Sequence, residues 1–253
     1  MSALASLRLH AVPPSELAGV WRGSALAQQA QATIASGHDL LDRELPGNGW
    51  PLGQLTEILQ AQPGLHEWRL LWPALCNVCN AVRNGPLVLI GAPHLPNLPA
   101  LASMGIPADK ILRIDAQKPA ERLWAAEQTL RCRELGALLV WLPQARTEQL
   151  RRLQLAGNSA QGAQALAFAL RPIEAQHESS PAPLRLSMHA GQSQGLSVQL
   201  LKRRGPVMDQ ALSLAAPLPV MAVLRQQQTL KENGQGVDRP ERTRTERHLH
   251  AAA

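Results

Sequence analysis

The residues best suited to chemistry lie in the segment Gln60–Trp68, which reads QAQPGLHEW. A short strand is predicted before it and a helix after it, which is the setting of a phosphate-binding loop. Such a loop holds phosphates on backbone N–H groups at a helix N-terminus, while a lysine and a serine or threonine hydroxyl bind the terminal phosphates and Mg²⁺. The pattern G-x-x-x-x-G-K-[ST] occurs nowhere in the chain. The sequence therefore predicts the framework of such a site without its phosphate-binding side chains.

Titratable groups in the same region offer acid–base chemistry. His66 is followed by Glu67, and His94 follows the next predicted strand. Imidazole and carboxylate groups are the usual proton carriers near neutral pH. The simpler interpretation, which we favour, is a solvated loop histidine and a glutamate stabilised by the helix dipole.

The cysteines are the next candidates. Cys76 and Cys79 form half of a redox or metal motif. They lie in a predicted apolar helix, and Cys132 has no cysteine near it in sequence, so core packing is the stronger prediction. Three cysteines, an odd number, argue against a disulfide framework and for a reducing compartment.

Basic side chains form two clusters that suit contacts with a phosphate backbone. One lies on a predicted helix and the other at the end of a predicted strand, and the residues are Arg151, Arg152, Lys202, Arg203 and Arg204. Such groups bind nucleic acid by charge without reading its sequence. A formal charge of +6 and a pI of about 10.0 favour DNA or acidic protein partners. The alternative is an ordinary solvated face.

The elements that must position these residues form an α/β pattern. The predicted strands span residues 55–59, 86–91, 110–114, 137–142, 165–170, 184–189 and 196–202. The predicted helices span residues 65–78, 98–104, 119–135 and 147–156. Alternating strands and helices predict a mostly parallel sheet covered on both faces, and the last two strands predict a C-terminal antiparallel hairpin.

Length and composition fit one medium-sized core. The chain has 253 residues, of which 45% are hydrophobic. No signal peptide and no membrane-spanning apolar run is visible, so we expect a cytoplasmic protein without membrane association.

Residues 36–58, SGHDLLDRELPGNGWPLGQLTEI, resemble the beginning of the ATP-binding core of RecA recombinases. More closely, the chain resembles the ImuA family, RecA-like proteins of bacterial mutagenesis cassettes. The resemblance extends from about Ser36 to Gly205. The runs that carry it are LPGNGWPLGQLTE, QPGLHEWRLLWPAL, APHLPNLPAL, AAEQTL, LLVWLP, RRLQLA, SPAPLRL and LLKRRG.

This resemblance implies a RecA-like P-loop NTPase-type core with a degenerate nucleotide site. It places Glu67 where the phosphate-binding lysine would be and Trp68 where the Mg²⁺-binding hydroxyl would be, in a loop that begins at Gln60 and contains Gly64. A carboxylate reverses the charge that phosphoryl transfer needs, and an indole cannot bind Mg²⁺.

Two further positions of that pattern also lack their carboxylates. The run that ends at His94 has no water-polarising carboxylate, and Trp141 follows the strand that would end in a Mg²⁺-orienting aspartate. We therefore expect no catalytic residue, no cofactor and no metal.

The resemblance further implies a non-enzymatic accessory protein of SOS-induced translesion DNA synthesis. Its implied partners are ImuB, RecA and an alternative DNA polymerase III alpha-type subunit, with single-stranded DNA as a further ligand. A different class also fits: cell-division inhibitors of the SulA type are reduced RecA-like proteins that bind FtsZ, although they are usually shorter.

The sequence divides into three parts. Residues 1–35 are predicted to be an N-terminal arm, residues 36–205 the RecA-like core and residues 206–253 a largely disordered tail. RecA subunits associate through a segment before the core, so Trp21 in the arm is a candidate partner contact.

Overall fold

A computed structural model describes residues 32–82, 84–158, 164–192, 195–205 and 208–216. Most of the predicted N-terminal arm, including Trp21, and the chain after residue 216 lie outside these residues.

Ten strands and five α-helices are described. The strands are β1 (Thr33–Ile34), β2 (Trp50–Pro51), β3 (Leu55–Gln60), β4 (Leu87–Ile90), β5 (Ile111–Ile114), β6 (Ala137–Trp141), β7 (Leu166–Pro172), β8 (Leu184–Ala190), β9 (Leu196–Lys202) and β10 (Leu212–Leu214). The helices are α1 (Asp39–Glu44), α2 (Glu67–Asn77), α3 (Leu98–Ser103), α4 (Pro119–Arg131) and α5 (Thr147–Gly157), and a π-helix (Val78–Val82) continues α2. Each predicted strand and helix between residues 55 and 202 is confirmed, with ends shifted by a few residues.

The main sheet has eight strands in the order β10-β9-β8-β3-β7-β6-β4-β5. The strands from β8 to β5 run parallel, and β8, β9 and β10 pair antiparallel at one edge. The predicted mostly parallel sheet with a C-terminal hairpin is therefore confirmed as a mixed α/β fold. Strand β10 adds to this sheet beyond Gly205, the predicted end of the core.

The strands in the middle of the sheet are buried on both faces, and β4 and β6 are continuous apolar runs, as such burial requires. In β6, Leu139 and Trp141 pack into one apolar cluster, and Leu138 and Val140 pack into the other. Helices α1 and α2 cover the first face, which we call the α2 face. Helices α4 and α5 cover the second, which we call the α5 face.

A charged cluster is buried in the centre of the sheet. The Glu57 carboxylate on β3 accepts a hydrogen bond from Arg171 Nη1 at 2.7 Å and another from Arg185 Nε at 2.8 Å. Glu178 also binds Arg171, at 2.7 Å. Burial by itself would lower the pKa of Arg171, but its hydrogen bonds and ion pairs with Glu178 and Glu57 outweigh burial and raise it. Neighbouring parallel strands are thus joined through one carboxylate.

None of the helices described here is long and apolar enough to cross a membrane.

Candidate functional site

The loop between β3 and α2 lies at the edge of the sheet where the parallel strands end. Gly64 has a left-handed backbone conformation, with φ +87°, which favours glycine over other residues. A Cβ at this position would lie 2.5 Å from His94 Cδ2, so glycine also lets the loop pack against the segment that follows β4. The backbone therefore curves into α2 with the N–H groups of Gly64 and His66 facing Glu67.

The side chain of Glu67, the first residue of α2, turns back into this curve and is fully buried. Its Oε1 accepts hydrogen bonds from Gly64 N at 2.5 Å, Trp141 Nε1 at 2.9 Å and Gln60 Nε2 at 3.1 Å. Its Oε2 accepts a hydrogen bond from His66 N at 3.0 Å. The carboxylate thus has four uncharged donors, two from the loop backbone and two from side chains.

This arrangement is that of an anion on a helix N-terminus, with the anion supplied by the chain itself. Curved backbone N–H groups and the positive end of a helix dipole favour a bound negative charge. A buried carboxylate loses several kcal/mol of hydration, whereas a hydrogen bond to a charged group contributes about 1.5–3 kcal/mol, so four such bonds are of the size needed to offset that loss. Glu67 therefore occupies the donors that a phosphate would require.

An apolar cleft of about 270 Å³ lies next to this loop, between α2 and α3. Its lining includes Leu65, Trp68, Leu89, Leu95, Met104 and Trp141. Trp68 is partly buried against the apolar cluster and lines this cleft. Leu65 and Leu95 are 51% and 77% exposed beside the cleft, so apolar side chains border it on the surface.

The histidines are not brought together with a free carboxylate. Burial, and secondarily Arg69, lowers the pKa of His66, whereas His94 lies on the exposed segment after β4. Both oxygens of Glu67 are taken by hydrogen-bond donors. Glu67 is a structural group at the helix start and His94 is exposed, but His66 is partly buried with its Nδ1 atom enclosed, so the prediction of a solvated histidine is wrong for His66.

Cys76 and Cys79 pack where core packing was predicted. Cys79 is fully buried, and Cys76 Sγ donates a hydrogen bond to Met104 O at 3.0 Å. Burial raises the pKa of both thiols, that of Cys76 to about 11. Among the described residues, no group of three or more His, Cys, Asp or Glu side chains is arranged to hold a metal ion.

The basic residues proposed for DNA or partner contacts fall on different parts of the surface. Arg151 and Arg152 are exposed on α5, and Arg152 is ion-paired with Glu127 of α4. Arg203 binds Glu44 of α1, which packs on the α2 face, at 2.8 Å.

Lys202 and Arg204, on either side of Arg203, have different surroundings from those of Arg203. Lys202 Nζ donates a hydrogen bond to Ser180 O at 2.8 Å, and Arg204 is exposed. The two basic clusters lie on different elements, Arg151 and Arg152 on helix α5 and the other three residues at and directly after the end of strand β9.

Sequence reasoning did not predict the contact between Glu67 and Trp141, which are 74 positions apart. The sequence signal for this contact is a pair of unusual residue types. The resemblance to RecA places Glu67 where that pattern has a lysine and Trp141 where it has an aspartate. In this chain the two residues are a carboxylate and an indole N–H, which are complementary as hydrogen-bond acceptor and donor.

Comparison with protein-family models and with curated protein sequences gives no match for this chain.

Proposed function

We propose that this chain has a RecA-like core and acts without catalysis, as an accessory protein of SOS-induced translesion DNA synthesis. In this role it recruits or bridges ImuB, RecA and an error-prone polymerase of the DNA polymerase III alpha type at DNA lesions. The assignment to this process rests on the sequence resemblance to the ImuA family. The mixed α/β fold, with a strand, loop and helix at the carboxyl edge of a parallel sheet, is compatible with it.

The observation that carries the non-catalytic part is the burial of Glu67. Its carboxylate occupies the backbone N–H groups of Gly64 and His66 and also binds Trp141. A nucleotide phosphate at the same place would meet the negative charge of Glu67, to which the N–H groups of Gly64 and His66 already donate, and this opposes both binding and phosphoryl transfer. A protein that keeps such a fold without its chemistry is suited to present surfaces to partners.

The apolar cleft between α2 and α3 supplies a surface on which this function can be tested. Leu95 beside it is 77% exposed, and large exposed apolar side chains that border a cleft are typical of protein contact sites. Leu155 on α5 is 62% exposed on the opposite side of the sheet, so it provides a matched control.

The experiment is a set of separate binding titrations of the purified chain with ImuB, RecA, the polymerase subunit, FtsZ and single-stranded DNA. Binding of ImuB or RecA supports the proposal. For the cleft, Leu95→Asp should weaken that binding at least tenfold, whereas Leu155→Asp should leave it within twofold, because a buried hot-spot side chain contributes 2 kcal/mol or more.

The possible outcomes separate the alternatives. Binding of FtsZ alone would move the protein to the SulA-type class of division inhibitors. Failure to bind ImuB, RecA, the polymerase subunit or single-stranded DNA would overturn the proposed function.

A further inference from the structure

A second cavity, of about 330 Å³, lies at the carboxyl ends of β3 to β7 and is lined by three arginines. We call it the arginine pocket and define it by Arg113, Arg122 and Arg171, with Gln60 and Asp115. Open parallel sheets bind their ligands in crevices outside the carboxyl ends of the strands. Its volume falls in the range of small-molecule sites.

Arg122 is held in this pocket by the backbone alone. Its Nε donates to Ala116 O at 2.8 Å and its Nη1 donates to Trp141 O at 3.1 Å. Gly91, with φ +65°, makes room for it, because a Cβ there would lie 2.6 Å from Arg122 Nε. The guanidinium is therefore fixed in place before any ligand arrives.

The charges of the other two arginines are neutralised within the chain, but that of Arg122 is not. Arg171 is paired with Glu57 and Glu178, and Arg113 pairs with Asp115 at 3.3 Å. In the part of the chain that the structure describes, no carboxylate forms an ion pair with Arg122. Its second terminal nitrogen, Nη2, has no protein partner there either.

Other residues that line the same pocket also have polar atoms without hydrogen-bond partners. Among the described residues, Arg113 Nε, Arg171 Nε and Gln60 Oε1 are buried without partners. A native structure seldom leaves several buried polar atoms unpaired in one place, since each costs about 1–3 kcal/mol. Donors exceed acceptors here, and a guanidinium suits the planar, two-pronged recognition of phosphate and carboxylate groups.

We propose that the arginine pocket binds a small oxyanion, with Arg122 as the residue that recognises its charge. The pocket adjoins the β3–α2 loop and shares Gln60 with it, but Glu67 fills the loop whereas the arginine pocket retains an unneutralised cation. Anion binding in this pocket does not depend on the proposed role in translesion synthesis. Failure of the partner-binding titrations would therefore not contradict it.

The test is thermal unfolding and calorimetric titration of the full chain with sodium phosphate and with sodium acetate, against sodium chloride at equal ionic strength. We expect saturable binding with one site per chain, and the two anions distinguish a phosphate ligand from a carboxylate ligand. Arg122→Gln should weaken binding at least tenfold, because a hydrogen bond to a charged group contributes that much. Arg131→Gln removes an exposed charge from the same helix and should have no effect.

Asp115→Asn provides a variant whose folding is secure, because the Asp115 side chain is 55% exposed. Removing this carboxylate from the pocket should tighten anion binding by roughly threefold, the effect of one partly screened charge. The proposal is overturned if neither anion binds saturably to the wild-type chain. Binding that Arg122→Gln leaves unchanged, or that Asp115→Asn fails to tighten, would also overturn it.

Discussion

The hydrogen bond between Glu67 and Trp141 allows the filled loop to be tested by a double-mutant cycle. Glu67→Gln keeps the side-chain volume and lets the amide oxygen accept the three bonds now made to Oε1. The amide NH₂ then replaces Oε2 and faces the N–H of His66. One charge-assisted bond is lost and a buried donor is left unpaired, so the free energy of unfolding should fall by about 3 kcal/mol.

Trp141→Phe removes the indole donor and should cost about 2 kcal/mol. In the double variant the two losses overlap. The bond they share drops from about 1.5–3 kcal/mol as a charge-assisted bond to about 0.5–1.5 kcal/mol as a neutral one. We therefore expect a coupling energy of about 1 kcal/mol, measured by urea unfolding at pH 7.

A matched control is available on the same helix. Trp72 Nε1 donates to Met104 O at 2.8 Å and shares no partner with Glu67. Trp72→Phe combined with Glu67→Gln should be additive within about 0.5 kcal/mol. A loss of less than about 0.5 kcal/mol in the free energy of unfolding for Glu67→Gln would contradict the role given to the Glu67 carboxylate. A coupling energy with Trp141→Phe that does not exceed the coupling energy with Trp72→Phe would also contradict it.

Three further predictions concern the core and its titratable groups. Glu57→Gln should lower the free energy of unfolding by about 3–5 kcal/mol in denaturant titrations, because it leaves two buried arginines without their shared carboxylate. Glu178→Gln is the control, and it should lower the free energy of unfolding by less than about 1 kcal/mol because the Glu178 side chain is 56% exposed. Equal losses in the two variants would contradict this. Iodoacetamide labelling at pH 8, read by mass spectrometry, should modify the exposed Cys132. Cys76 should react roughly two orders of magnitude more slowly, because burial raises its pKa to about 11 and leaves little reactive thiolate. Comparable labelling rates for the two cysteines would contradict this prediction. Burial lowers the pKa of His38 below its ordinary value of about 6.5, so stability is present above that pH and falls as the pH drops through the lowered pKa. Unfolding measured from pH 7.5 to pH 5 should show this loss, and His38→Gln should remove part of it.

Much of the fold follows from the sequence because the parallel strands carry their signal locally. The runs that form β4 and β6 are continuous, apolar and bounded by Gly or Pro, and this pattern requires burial on both faces. Helix ends were less predictable. Helix α4 ends at Arg131 rather than Leu135, because Cys132 and Leu135 form a turn before Gly136.

The candidate site was predictable only in part. The position of Glu67 at a helix start and the absence of phosphate-binding side chains follow from residue types and spacing. The inward turn of its carboxylate depends on Trp141 from a distant strand, and such contacts are fixed by tertiary packing. The arginine pocket has the same origin, since Arg113, Arg122 and Arg171 meet only because parallel strands end at a common edge.

Whether this chain acts without a nucleotide can be decided by measuring partner affinity as a function of nucleotide. Dissociation constants for ImuB and RecA should be measured without nucleotide, with ATP and Mg²⁺, and with inorganic phosphate at the same ionic strength as a control for the arginine pocket. A filled loop predicts that at least one partner binds and that ATP changes its affinity no more than phosphate does, with no ATP hydrolysis. An ATP effect of tenfold or more beyond phosphate, or measurable hydrolysis, would contradict the proposal that the carboxylate of Glu67 leaves no place for a nucleotide in this loop.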